Sequence, residues 1–189
     1  AAIEELNVIR TTAGENLCAM ILADCAYNLQ PLRGITQTYM YTNKSMPTRA
    51  SYYVPRILQP LNDFLTKHSA HLAPDLKDSW SLCVASSMTD KYTTTPHTLT
   101  HTHTNDITTR FYEMVTELLD NLKRMEENLK RLPGKRGAAE DGQASDKQKI
   151  LRQLTLDVEE YGRLLTNLNP QAAALANYAN LRQHITNSS

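Results

Sequence analysis

No charge of either sign predominates in this sequence: Lys plus Arg number 20, and Asp plus Glu number 20, in 189 residues. A chain so balanced lacks the electrostatic footprint that draws a protein to nucleic acid or to anionic membranes, so nucleic acid is not expected as a partner. Cysteine is scarce. The three present are widely spaced and odd in number, which excludes a disulfide framework and points to a reducing compartment. No apolar run approaches the roughly 20 residues needed to span a bilayer; the longest, residues 17–23, is broken by Asp24. The opening residues "AAIEELNVIRTTAGEN" have neither the basic start nor the apolar core of a signal peptide, and no initiator Met precedes them. The chain is therefore expected to be a piece of a longer protein. Also missing are a Gly-rich phosphate loop, a G-x-S-x-G elbow, an H-E-x-x-H pair and paired C-x-x-C motifs. No enzyme, no cofactor and no small-molecule substrate is expected.

What is present is helical periodicity in a chain long enough to bury roughly two thirds of its unfolded surface. Leu17, Cys18, Ile21, Leu22, Cys25 and Leu29 recur at intervals of three and four and draw one apolar stripe up to Pro31. Cys18 and Cys25 read as small core residues. Residues 31–47, with Gly34, Asn43 and two prolines, read as a connector. Val54, Ile57, Leu58, Leu61, Phe64 and Leu65 resume the helical spacing, with Pro60 expected to kink or split the helix. Pro74 opens another candidate with Leu76, Trp80, Cys83 and Val84 on one face.

The longest pattern is an a/d seam of Phe111, Val115, Leu118, Leu122, Met125, Leu129 and Leu132, stepping alternately by four and three. Asp120 with Arg124, Glu126 with Lys130 and Glu127 with Arg131 stand four apart, acid before base, on its solvent side. Pro133 and Gly134 end this helix, and residues 133–144 read as a flexible linker. Ser145 and Gln148 form a capping box for the next helix, whose seam is Leu151, Leu154, Val158, Tyr161, Leu165 and Leu168. The carboxylates Asp157, Glu159 and Glu160 point different ways round that helix and are expected on its exposed polar face. Asn169 and Pro170 start a last helix through Leu175, Tyr178, Leu181 and Ile185. The fold expected is all-α, a helical bundle or rod of antiparallel helices with a disordered insert. Residues 1–92 form its N-terminal helices, 93–109 the insert, and 110–189 a helical hairpin plus a C-terminal helix. The seam residues are expected to pack helix on helix or to receive a partner.

The stretch "TPHTLTHTHTND", residues 95–106, places His97, His101 and His103 together. Imidazoles at this density can gather Zn²⁺ or Cu²⁺ and titrate near neutral pH, so a small metal- or pH-responsive helical binding protein is the alternative reading. The stretch lacks Cys, a helical i,i+4 His pair and an apolar frame, and alternating His and Thr is what a CA dinucleotide repeat encodes. A low-complexity insert without a ligand is the expectation.

Three segments carry a resemblance: "TNKSMPTRASYYV" (residues 42–54), "RFYEMVTELLDNLKRMEENLKRL" (110–132) and "SDKQKILRQLTLDVEEYGRLLTNL" (145–168). In order and spacing they resemble the C-terminal region of the family of subunit 2 of the conserved oligomeric Golgi complex, a vesicle-tethering assembly. The chain departs from that family at residues 93–109. The resemblance implies a non-enzymatic, helix-rich protein, held peripherally at the cytoplasmic face of the Golgi membrane. Its partners are then the other subunits of the complex, and its work intra-Golgi retrograde transport, Golgi organisation and protein transport. The family's contacts with sister subunits use N-terminal helices that this chain largely lacks, so the resemblance carries over no functional residue.

Overall fold

The three-and-four spacing of apolar residues becomes helix throughout the part of the chain described by the computed structural model, residues 2–68, 70, 107–131, 145–174 and 176–188. Several features lie outside these residues: the expected helix with Leu76, Trp80, Cys83 and Val84, the histidines His97, His101 and His103, Leu132, the linker 133–144, and Leu175. The fold is all-α, with no strand among the described residues.

The first helix, α1 (Ala2–Tyr27), buries only its second half, where Ile21 and Cys25 enter the core followed by Leu29. Burial pushes the Cys25 thiol up to about 11, so it stays protonated, as an apolar core residue would. Residues 31–47 are more ordered than a connector. A 3₁₀ turn (Gln30–Gly34) and a short helix α2 (Ile35–Tyr39) bury Leu32, Ile35 and Tyr39. Pro31 fits the start of the 3₁₀ turn, where its missing N–H costs nothing, and three apolar positions beside a glycine were too few to register as a stripe. Pro60 splits the next helical stretch into α3 (Val54–Ile57) and α4 (Gln59–His68), because its ring cannot sit against the carbonyl four residues back.

The helix α5 (Ile107–Arg131) starts inside the stretch assigned to the insert. Ile107 lies one turn before Phe111 on the same seam, and both it and Thr108 are buried, so packing overrides the low helix propensity of the threonines. Next come α6 (Asp146–Leu168), α7 (Pro170–Ala173) and α8 (Ala176–Ser188). The capping box holds α6 at its start: Ser145 Oγ accepts the Gln148 N–H at 3.2 Å, and Gln148 Oε1 accepts the Ser145 N–H at 3.0 Å.

α5 and α6 run antiparallel. The rings of Phe111 and Tyr161 meet edge to face at 5.2 Å, the Thr108 and Tyr161 hydroxyls are 2.9 Å apart, and at the other end Lys147 reaches Glu126 at 3.2 Å. Glu126 thus bridges between helices, while Asp120 and Arg124, and Glu127 and Arg131, form no ion pair among the described residues. Exposed pairs of this kind gain too little to hold two flexible side chains in one geometry. α8 lies against both helices, with His184 beside Tyr112 and Thr116 of α5 and Tyr178 over α6. The approach to α6 is close because Gly162 is buried there, and a Cβ in its place would overlap the Tyr178 ring and hydroxyl.

One continuous core links α1 to α4 with α5, α6 and α8. Phe111, Val115, Leu118 and Leu122 are buried in it and Met125 is half-buried. Leu151, Leu154, Val158, Tyr161 and Leu165 are buried from α6, with Leu168 packed at the edge. Leu122, 6% exposed, and Lys123, exposed, are neighbours in sequence but face opposite environments. Leu122→Asp is expected to lower stability by at least about 3 kcal/mol through a buried unpaired carboxylate, and Lys123→Asp by no more than about 0.5 kcal/mol. Thermal denaturation followed by circular dichroism measures both; matching midpoints would place Leu122 outside the core.

Candidate functional site

Between α2 and α3 the chain runs without helix along α6, forming a strap from Tyr41 to Ser51. Tyr41 leaves α2 at a left-handed φ of 57°, a conformation that costs a non-glycine residue about 1–3 kcal/mol, and its N–H donates to Asp146 Oδ2 at 3.0 Å. Further on, Gln153 Nε2 donates to the Arg49 carbonyl at 3.0 Å. The strap ends at Asp157, whose Oδ1 accepts the Ser51 N–H at 2.6 Å and Gln153 Nε2 at 2.8 Å. The other oxygen, Oδ2, accepts the hydroxyls of Ser51 at 2.8 Å and Tyr53 at 2.7 Å. Tyr39 completes the set by donating to Gln153 Oε1 at 2.7 Å.

Asp157 is fully buried, which corrects the expectation that it lies on the exposed face with Glu159 and Glu160. Glu159 is exposed, and Glu160 is held below the usual carboxylate range by its hydrogen bonds from Arg163 at 2.6 and 2.8 Å. The difference arises because α6 is packed on more than one side. Ile150, Gln153 and Asp157 step by three and four and are all buried, so Asp157 occupies a core position in a second seam, whose Gln153 and Asp157 face α2 and α3. An acid standing at such a position was the signal in the sequence. Gln153 stands four residues before Asp157 on the same helix, whereas Ser51, Tyr53 and Tyr39 carried no signal, since their contacts join residues more than a hundred positions apart.

The strap is also longer than the helix it follows. From Asp146 to Asp157, α6 advances about 16 Å, whereas ten residues of extended chain can reach roughly 33 Å. The slack arches away from α6 and leaves a concavity of about 550 Å³, floored by Tyr39 and Gln153 and walled by residues 43–49, Lys44 and Arg49 among them. A second concavity of about 410 Å³ lies between α5 and α8, lined by Asn177, Asn180, Gln183 and His184 among others.

Of the expected seam residues, Phe111, Val115, Leu118, Leu122, Leu154, Val158, Tyr161 and Leu165 are brought together in the core, Leu132 and the side chain of Leu129 lie outside what is described, and none of the described ones lines either concavity. His97, His101 and His103 lie outside the described residues, and among those described no group of three or more His, Cys, Asp or Glu is placed to hold a metal ion. No described helix is long and apolar enough to cross a membrane.

An all-α scaffold with an internally clamped strap is thus the class of structure defined. The family model described as COG complex component, COG2, C-terminal, matches residues 1–104 and 95–158, and the chain belongs to that family. The two matches overlap at residues 95–104. The chain is 30% identical to conserved oligomeric Golgi complex subunit 2 of Arabidopsis thaliana over 82% of its length, covering 19% of that protein. Against the Homo sapiens protein of the same name the identity is 30% over 97% of the chain and 24% of the relative. For Drosophila melanogaster it is 26% over 94% and 24%. The chain therefore spans about a fifth to a quarter of the length of these curated relatives. No solved structure matches it significantly.

Two outcomes test the clamp. Asp157→Ala leaves the buried donors of Tyr53, Ser51 and Gln153 without an acceptor and is expected to cost about 3 kcal/mol, whereas Glu159→Ala should change stability by no more than about 0.5 kcal/mol. Denaturant titration compares them, and equal losses would remove the clamp from the fold's foundations. The second outcome is pH-dependent. Burial pushes the Asp157 carboxyl above its ordinary value, against the opposing hydrogen bonds from Ser51, Tyr53 and Gln153. A folded pKa above the unfolded one gives a contribution that is complete below the unfolded value and is lost as pH rises through the folded value. The stability of the native chain relative to Asp157→Asn is therefore expected to increase as pH falls from about 7 to about 4. Parallel stability curves for the two proteins would refute the shift.

Proposed function

We propose that this chain is part of a non-enzymatic subunit of a multisubunit Golgi vesicle-tethering complex. It sits peripherally at the cytoplasmic face of the Golgi membrane and supports intra-Golgi retrograde transport, Golgi organisation and protein transport through contacts with the other subunits. Membership in the family supports the assignment to such a complex. The observation that carries the non-enzymatic part is the saturation of Asp157: its two oxygens accept four hydrogen bonds from this chain's own groups. No acceptor position is left to take a proton from a substrate, so the most buried charge in the chain holds shape instead of doing chemistry. Rigid helices that display a fixed surface suit a tether, whose work is reach and recognition.

Affinity isolation of the tagged full-length protein from cells, followed by mass spectrometry, is expected to recover the other subunits of the complex. Deletion of residues 93–106 should leave that recovery unchanged. Absence of the sister subunits from the native isolate would overturn the reading, and their loss on the deletion would favour the histidine stretch as the working part.

A further inference from the structure

We infer that the concavity under the strap is a docking site for an acidic segment of a partner protein, an inference that rests on the chain's being a subunit of a complex. Lys44 and Arg49 line it, and among the described residues neither forms an ion pair. Among the described residues no carboxylate lines it. The two nearest in the clamp are already committed: Asp146 to the Tyr41 N–H and to Lys149, and Asp157 to its four donors behind Gln153. Two cations at a shallow, open concavity thus present a positive potential that no described acid of the site cancels.

The strap and the residues just after it have the composition of a recognition surface. Tyr41 is 80% exposed, Tyr52 71% and Met46 41%, and the Arg56 guanidinium lies 5.7 Å over the Tyr52 ring. Tyr, Met and Arg are the residues enriched at protein interfaces, where large side chains combine apolar area with a polar tip. The strap is also held at both ends and at Arg49 before any partner arrives, which reduces the ordering cost of binding. A protein segment is favoured over a lipid surface. Two cations fall short of the cluster of about four to eight that holds a protein on anionic lipid, and the whole chain is charge-balanced.

The experiment places a photo-crosslinking amino acid at Met46 of the full-length protein in cells and sequences the captured peptide by mass spectrometry. The expected product is a peptide of a sister subunit rich in Asp and Glu. Its yield should fall about tenfold or more in Lys44→Glu/Arg49→Glu, while the thermal midpoint moves by less than about 2 °C. If that variant melts early, Lys44→Ala/Arg49→Ala, which adds no repulsive charge, takes its place with the same expected direction. A neutral or basic peptide, a phospholipid adduct, no adduct, or a yield indifferent to charge reversal would each overturn the inference. Recovery of sister subunits in the same isolates separates the two levels. If they are present without the acidic adduct, the docking site alone fails; if they are missing, the subunit reading fails with it.

Discussion

A single buried carboxylate sets the arrangement of the N-terminal elements on the C-terminal ones. Asp157 can accept up to four hydrogen bonds and can donate none when ionised, and the chain supplies four donors from three residues. A forked acceptor of this kind is met by both the N–H and the hydroxyl of Ser51 only when the strap stands at one position along α6. A slide of the strap in either direction would strand a charge in a site closed to water, which costs far more than any single apolar contact returns. The clamp therefore fixes register, which apolar packing alone leaves loosely specified.

α6 can hold this role because it is the central helix. It packs on α2 and α3 through the face carrying Gln153 and Asp157, and on α5 and α8 through Tyr161 and Gly162. With its apolar seam consumed inside the chain, α6 offers a partner only polar positions, and what faces outward elsewhere is loops, polar helix faces, the strap and the first half of α1 with Ile3, Leu6, Val8 and Ile9 exposed. The docking surface inferred for the strap falls on a segment without regular secondary structure, positioned by rigid helices behind it. Loops commonly carry recognition in this way, since a helix face used for the core is no longer free for a partner.

The helices were legible in the sequence wherever three or more apolar residues kept their interval, as with Phe111 to Leu122 and Leu151 to Leu165. Local chemistry was equally legible: Ser145 and Gln148 lie three apart, and their capping geometry follows from that spacing alone. Two things were hidden. The second seam of α6 was masked because reading one apolar stripe per helix assigns every acid to the solvent side, and Asp157 broke that assumption. The strap was hidden because its partners are distant in sequence. "TNKSMPTRASYYV" shows neither period two nor period three-four, and no local rule says that Ser51 and Tyr53 will find Asp157. α5 was read three residues short because Thr108 and Thr109 continue the composition of the preceding tract, while their burial is decided by α6 and α8.

The separation between the strap and Asp157 also bears on how the sequence can change over evolutionary time. The bonds from Ser51 and Tyr53 to Asp157 close a loop of more than a hundred residues. The entropy of closing a flexible loop grows only with the logarithm of its length, so adding the fourteen residues 93–106 to it costs about 0.1 kcal/mol. By this measure alone, a change of length in the loop that the clamp closes has little effect on the stability of the fold. Within the strap the slack before Arg49 can take up added length, whereas a residue added between Arg49 and Ser51 is felt at once by the bonds to Gln153 and Asp157.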